Sequence, residues 1–243
     1  MARSILSVQN LTKKFGGLVA VNGMTFDVGE HEVLGLIGPN GSGKTTMMNL
    51  ISGALKPTSG SISLQGTRIS DLPAQEINRK GVARTFQLVR LLPSLNVIEN
   101  VIAGAVFGHR KRWGVEAENY AREMLERVGL QVAGDAPVST LTYIDQKRLE
   151  LARVLASDPK ILLLDEWLAG LNPTELETGI SLIRDLRNDG RTIILVEHVM
   201  DAIRSLCDRC VVMNSGTKIA EGTPAEVLAD REVIRAYLGD DDA

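Results

Sequence analysis

Apolar and polar residues alternate at the start of the chain. Leu6 and Val8 are separated by Ser7 and Gln9, and Met24, Phe26 and Val28 by Thr25 and Asp27. A period of two puts one face of each segment against a core, so both are predicted as strands, joined through Phe15 and a turn at Gly16 and Gly17. After Gly29 and Glu30 come Val33, Leu34, Leu36 and Ile37, an apolar run that fits a strand buried on both faces. Residues 45–52 are predicted as a helix, and Pro57, Ser59 and Gly60 break the chain after it. Ile62, Leu64, Gln65, Gly66, Arg68 and Ile69 then predict a hairpin. Residues 74–80 read as a short helix, and residues 82–86 as a strand ending at Gln87.

From residue 91 to about residue 156 the period is that of helices. Val97, Val101 and Ala105 share one face; Ala117, Ala121 and Leu125 stripe the next helix beside Tyr120, Met124 and Val128. Between them residues 109–113, HRKRW, form a charge run, either a solvated loop or a contact with a partner subunit. Residues 161–166, ILLLDE, are a short apolar strand ending in two carboxylates. A helix over 173–187, a strand over 192–196 and a helix after His198 follow, and residues 211–213 and 218–220 close the sheet. The tail from Pro224 reads as two short helices and a frayed acidic end, DDDA. This alternation predicts an α/β domain with a mostly parallel sheet, an N-terminal antiparallel β subdomain and an inserted helical lobe. The expected division of the single domain 1–243 is a core of 1–90 and 157–222, a helical subdomain 91–156 and a tail 223–243.

The densest chemistry lies where the buried strand meets the first helix. Residues 38–46 read GPNGSGKTT, the phosphate-loop spacing. Gly38, Gly41 and Gly43 let the backbone wrap a phosphate chain where a Cβ would collide, with Pro39, Asn40 and Ser42 between them. Lys44 would reach the β- and γ-phosphates, the Thr45 hydroxyl would hold Mg²⁺, and Thr46 continues the helix whose N-terminus faces the phosphates. A glycine-rich surface turn lacks this strand and helix. The expectation is a chain that binds a nucleoside triphosphate, with a phosphate-loop NTPase core.

Composition narrows the setting. Hydrophobic residues are 44% and charged residues 23% of the 243, the balance of a globular protein. Mean hydropathy is +0.04, and no apolar run approaches the length of about 20 residues that spans a bilayer. The first ten residues, MARSILSVQN, have no apolar core like a signal peptide. The chain is therefore expected to stay in the cytoplasm, any membrane span being supplied by another subunit. A net charge of −3 gives no basic footprint, so no nucleic-acid partner is expected. Cys207 and Cys210, spaced CxxC, fit a redox-active pair or half a zinc site, but no second pair or nearby histidine completes a metal tetrad, and packed residues at a helix-to-strand junction are the expectation.

Other strand ends sharpen the function. Asp165 closes an apolar strand, where a carboxylate can hold Mg²⁺ through water opposite Thr45. Glu166, pointing the other way, would polarise the attacking water. His198 follows the strand 192–196 at the same sheet edge, and Gln87 would carry a metal-bound oxygen.

At these residues the chain resembles the ATP-binding cassette (ABC) ATPases, over about residues 5–240. Phe15 matches the aromatic that stacks on adenine, Gln87 the Q-loop glutamine and His198 the switch histidine. Residues 141–146, LTYIDQ, lie where the family has its LSGGQ signature, and residues 169–172, AGLN, match the D-loop. RTFQ at 84–87, DEWLAGLNP at 165–173 and VIRAYLG at 233–239 are similar to the ATPase subunits of branched-chain amino-acid importers. The resemblance implies ATP and Mg²⁺ as cofactors and a second ABC ATPase subunit, in a homo- or heterodimer. It also implies integral membrane permease subunits, and an extracytoplasmic substrate-binding protein met indirectly. Each site would combine one chain's phosphate loop with the other's signature, in a peripheral subunit at the cytoplasmic face of the inner (plasma) membrane. Soluble mechanical ABC ATPases of DNA repair, chromosome organisation or translation usually carry a second cassette, a long coiled coil or zinc modules, for which this chain has no room. A phosphate-loop kinase for small molecules would need neither His198 nor the signature segment.

The signature departs from the family pattern. Thr142 keeps a hydroxyl, but Tyr143 and Ile144 occupy the glycine positions and Asp145 adds a negative charge near a polyphosphate. The Ile144 Cβ is expected to hinder close backbone approach or a positive φ. Asp145 either opposes the phosphate or serves the dipole of its own helix.

Overall fold

A computed structural model describes residues 4–238. The acidic end at 240–243, expected to fray, lies outside the described residues, as does Gly239. The chain forms two compact units, one of residues up to 74 with those from 168 on, the other Gln75–Trp167.

In the first unit, β1 (Ser4–Phe15) pairs antiparallel with β2 (Leu18–Gly29), as the alternation predicts. Met24, Phe26 and Val28 are buried while Thr25 and Asp27 face out. The alternation in β1 is broken at Asn10, which takes φ 46, so Leu11 rather than Asn10 continues the buried face after Val8. β3 (Val33–Ile37) is buried at every position and runs into α1 (Lys44–Ile51). Ser59 and Gly60, expected to break the chain, instead open β4 (Ser59–Leu64), which lies on the other side of β1 and forms a hairpin with β5 (Thr67–Arg68). A Cβ on Gly60 would stand 2.3 Å from the Asn10 carbonyl oxygen, so the irregularity in β1 and the glycine in β4 accommodate each other.

The second unit holds α2 (Ala74–Arg79), almost entirely, then β6 (Val82–Arg84), α3 (Val97–Phe107), α4 (Gly114–Arg127), α5 (Tyr143–Ala156) and β7 (Ile161–Asp165). All helices expected over 91–156 therefore lie within this unit, together with a parallel β6–β7 pair. Val97, Val101, Ala105, Ala117 and Ala121 are fully buried, so both predicted apolar faces pack inward. α3 begins with a reciprocal capping box: Asn96 Oδ1 accepts from Glu99 N at 2.9 Å, and Glu99 Oε2 from Asn96 N at 2.9 Å. In the charged loop between α3 and α4, the Arg112 guanidinium lies 3.7 Å from the Tyr120 ring centroid while Trp113 is exposed.

The chain returns to the first unit in α6 (Pro173–Asn188), headed by a second capping box at Asn172 and Glu175 with Pro173 in the first turn. β8 (Thr192–Val196), α7 (Met200–Leu206), β9 (Arg209–Asn214), β10 (Thr217–Gly222), α8 (Pro224–Ala229) and α9 (Arg231–Leu238) follow. β3 pairs in parallel with both β8 and β9, and β10 returns antiparallel on β9. Cys207 follows α7 as its C-cap and Cys210 sits in β9, both buried with free thiols. The Cys207 thiol is pushed up by its hydrogen bond with Cys210 and by burial, which disfavours an exposed reactive thiolate there.

Candidate functional site

The phosphate-loop sequence is set in backbone that only glycine fits. Gly38 follows β3 at φ 149, and a Cβ there would stand 2.0 Å from the Met213 carbonyl oxygen and 2.8 Å from Ser42 Oγ. Gly43, at φ 105, is the N-cap of α1, and its Cβ would stand 2.5 Å from the Ala20 carbonyl oxygen. The loop is pinned again where Gly216 N donates to Ser42 O at 2.9 Å and Asn22 N donates to Gly216 O at 2.8 Å. The β9–β10 turn and β2 thus shape the loop, a role no motif spacing reveals. Its faint sequence trace is the pair Ser215 and Gly216, a turn signal.

α1 has no side-chain cap at its N-terminus and no acidic residue in its first turn. Its first N–H groups and the positive end of its dipole are therefore offered to an anion. Lys44 is buried, and its ammonium donates to Gly38 O at 2.8 Å and Pro39 O at 2.9 Å, inside the loop. Asn40, Gly41 and Thr45 are exposed, Thr46 half-buried and Ser42 buried.

Phe15 ends β1 with its ring 45% exposed, and the Lys13 ammonium lies 5.1 Å from the ring centroid. A ring open on this scale can take a planar base. Phe15→Ala is expected to weaken ATP affinity about fivefold, the stacking being worth roughly 1 kcal/mol. Selectivity for ATP over GTP should be slight, because an aromatic face holds any purine. Equilibrium titration with a fluorescent nucleotide checks both, and an unchanged affinity makes the ring core alone.

In the second unit β7 carries its two carboxylates to opposite environments. Asp165 is 1% exposed, and Arg84 Nη2 of β6 donates to its Oδ2 at 2.6 Å. Asp165 Oδ1 is buried without a hydrogen-bond partner among the described residues. Glu166 turns out of the strand at φ 51, and Gln87 Nε2 donates to its Oε2 at 2.7 Å. Left-handed backbone in a residue with a Cβ costs about 1–3 kcal/mol and is over-represented at functional sites.

Gln87 lies three residues beyond β6, which stops at Arg84 rather than Phe86. The reason is Glu150 of α5, whose carboxylate accepts from Phe86 N at 3.3 Å and Arg90 N at 2.9 Å, drawing the chain off the ladder. Burial pushes the Glu150 carboxyl above its usual range, and those two amides pull it partly back. Neither Glu150 nor Arg84 announces this in sequence, where each is an unremarkable charge.

Thr142 caps α5. Its hydroxyl accepts from Asp145 N at 3.3 Å and donates to Asp145 Oδ2 at 2.7 Å, while Arg148 donates to Asp145 Oδ1 at 3.4 Å. Asp145 thus serves its own helix N-terminus, the milder of the two expectations. Tyr143 and Ile144 open α5 without a positive φ. The fold asks no positive φ of Ile144, so its Cβ bears only on how closely a phosphate approaches.

His198 follows β8 and is exposed. Its buried neighbour Glu197, which sequence reasoning passed over, accepts from Leu168 N at 2.7 Å and so fixes the chain just before residues 169–172. Within each unit the structure thus joins Gln87 to Glu166, Arg84 to Asp165, Thr142 to Asp145 and Glu197 to Leu168.

A buried parallel strand, a glycine loop and an uncapped helix N-terminus define the phosphate-loop nucleotide-binding class. The sequence matches the ABC transporter family over residues 21–169. The chain belongs to that family, as an ATP-binding cassette whose ATPase activity serves transport. Residues 217–243 match a second family, described as branched-chain amino acid ATP-binding cassette transporter. The high-affinity branched-chain amino acid transport ATP-binding protein LivG of Salmonella typhimurium is 44% identical over 99% of this chain and 100% of its own length. Its counterpart BraF of Pseudomonas aeruginosa is 43% identical with the same coverage. Among solved structures, an ADP-conformation ATP-binding cassette of an ABC transporter superposes with TM-score 0.88 at 30% identity, covering 98% of this chain and all of that one. A dimeric cassette in a post-hydrolysis state with ADP and Pi gives 0.82 at 28% identity, covering 90% and 98% of the two chains. Among the described residues no helix is long and apolar enough to cross a membrane.

Proposed function

We propose that this cassette powers an importer of branched-chain or related amino acids, peripherally at the cytoplasmic face of the inner (plasma) membrane. The observation that carries the cargo is the match of residues 217–243, because a general ABC core names no substrate. Whole-length likeness to LivG and BraF supports it. Phe15 stacks on the adenine. Residues 38–46 wrap the phosphates, with Lys44 withdrawn from the Gly38 and Pro39 carbonyls onto the β- and γ-oxygens. Glu166 accepts the proton of the attacking water, and His198 hydrogen-bonds the γ-phosphate. Thr45, Gln87 and Asp165 would hold Mg²⁺, which would neutralise charge developing on the β- and γ-oxygens. The unpartnered Asp165 Oδ1 fits that donor set, and so few protein oxygens suit an ion that keeps several waters. A second cassette, identical or related, presents its signature segment to this chain's nucleotide and receives residues 142–145 of this chain at its own. Permease subunits in the membrane engage Gln87 and the helical segment 91–156, and a substrate-binding protein outside delivers the amino acid.

Reconstitution with the permease subunits and the substrate-binding protein tests the reading. ATP-dependent uptake of leucine, isoleucine or valine is expected, with ATPase activity stimulated by the loaded binding protein. A binding protein with no affinity for any of them overturns the cargo.

The altered signature makes the pair asymmetric in this reading: the chain hydrolyses ATP under a partner with a better signature and serves the partner's site poorly. Alone it should be largely monomeric and slow. Ile144→Gly with Asp145→Gln should raise ATP-dependent dimerisation and turnover several-fold, since glutamine at that position can still close a capping box with Thr142. An isolated wild type that already dimerises and turns over as fast as the double variant refutes the asymmetry.

A further inference from the structure

A buried lysine joins the first turn of α5 to the turn that carries Glu166. Lys147 lies one helical turn beyond Tyr143 and is 2% exposed. Its ammonium donates to the Trp167 carbonyl at 3.0 Å, and the indole Nε1 of Trp167 donates back to the Lys147 carbonyl at 3.3 Å. Trp167 follows Glu166 directly and is itself 3% exposed. The same ammonium stands 5.2 Å from the centroid of the Tyr143 ring, which is largely exposed at the head of α5.

Burying an ammonium is costly, and an aliphatic side chain would fill the space without desolvating a charge. What the lysine adds is a directed bond to the Trp167 carbonyl. That carbonyl lies next to Glu166, whose φ of 51 persists only where the surroundings over-determine it. Trp167 supplies those surroundings. Its ring is buried and its residue bonded to α5 at both the carbonyl and the indole, so the turn cannot relax without breaking the pair. The Glu166 carboxylate is thereby held where Gln87 Nε2 reaches it at 2.7 Å.

We propose that Lys147 is a positioning residue that ties the conformation of the Glu166 turn to the position of the first turn of α5. Tyr143 and Lys147 are i and i+4 on one helix, so a load on residues 142–145 moves the ammonium with it. The Trp167 carbonyl follows, and the backbone that aims Glu166 follows the carbonyl. Closure of a second cassette over this chain's signature is then felt at this chain's own hydrolytic carboxylate. The inference rests on reading residues 142–145 as the signature and Glu166 as the base.

The test uses the assembled transporter. Lys147→Met keeps the length and apolar stem of the side chain and removes the ammonium. It is expected to lower kcat by at least about tenfold, a misplacement near 1 Å costing about a hundredfold, with the KM for ATP changed by less than about twofold. Lys147→Arg, which can reach the same carbonyl, should restore most of the rate. In a Trp113→Phe background Trp167 is the remaining tryptophan of the chain. Its emission should shift when ATP and Mg²⁺ are added to the wild type and to Glu166→Gln, and should not shift in Lys147→Met. Wild-type turnover and an intact emission shift in Lys147→Met, with turnover lost in Glu166→Gln, overturn the coupling and leave the base assignment standing. Wild-type turnover in Glu166→Gln overturns both. A Lys147→Met chain whose Tm, KM and kcat fall together without rescue by arginine also overturns it, since the pair is then a packing contact alone.

Discussion

Replacing Glu166 with glutamine is expected to leave ATP binding intact and to slow hydrolysis about a thousandfold. The amide keeps the length of the side chain and can still accept the bond that Gln87 Nε2 now gives to Glu166 Oε2 at 2.7 Å, so the turn survives. What it cannot do is take a proton from water. With hydrolysis blocked and binding retained, two cassettes should stay closed over ATP, seen as an ATP-dependent rise in mass by light scattering. Single-turnover measurement of the assembled transporter separates the chemical step from product release. Turnover within about tenfold of wild type would assign the base elsewhere.

The second large effect is expected at Gly38. In Gly38→Ala the new methyl meets the Met213 carbonyl oxygen at 2.0 Å and Ser42 Oγ at 2.8 Å in a backbone at φ 149. The Met213 oxygen belongs to β9, whose Val212 is paired in parallel with Ile37 of β3, so neither side can yield without disturbing the sheet. Overpacking on this scale costs about 3 kcal/mol, or roughly 10 °C in Tm for a chain of this size. ATP affinity should fall beyond measurement, because the loop's N–H groups no longer point inward together. Gly41→Ala is the internal control. Gly41 also has positive φ, at 78, but a Cβ there meets no protein atom within 4 Å, so without nucleotide about 1 kcal/mol of backbone strain is the expected cost to stability. Melting curves of the two variants side by side check the contrast, and nucleotide titration of Gly38→Ala checks the loss of affinity. Equal behaviour would mean that the approach of β9 does not shape the loop.

The strands that carry the chemistry were legible because their signal is local. Residues 161–164 and 193–196 are unbroken apolar runs, and β7 (to Asp165, one residue short of the expected 166) and β8 form there with every residue buried. The helix boundaries at Asn96 and Asn172 rest on reciprocal caps within four residues, again local chemistry. Where the reading missed, a distant group had intervened. β6 is shorter than its apolar pattern because Glu150, 64 residues away, takes the Phe86 N–H. Gly60 extends a strand rather than breaking it because the Asn10 backbone leaves room only for a hydrogen.

By itself the sequence determined the order of strands and helices, the phosphate loop at the head of α1, and the placing of Gln87, Asp165, Glu166 and His198 at or just beyond strand ends. Each of these follows from residue type and short spacing, where few alternatives compete. The tertiary structure decided which side chains hold one another: Arg84 on Asp165, Gln87 on Glu166, Glu197 on Leu168, Lys147 on Trp167. It also decided that Asp145 caps its own helix and that Glu166 stands in left-handed backbone. Such pairings depend on burial and on the meeting of residues 20 to 81 positions apart, and a buried polar group must find its partner wherever the packing brings one.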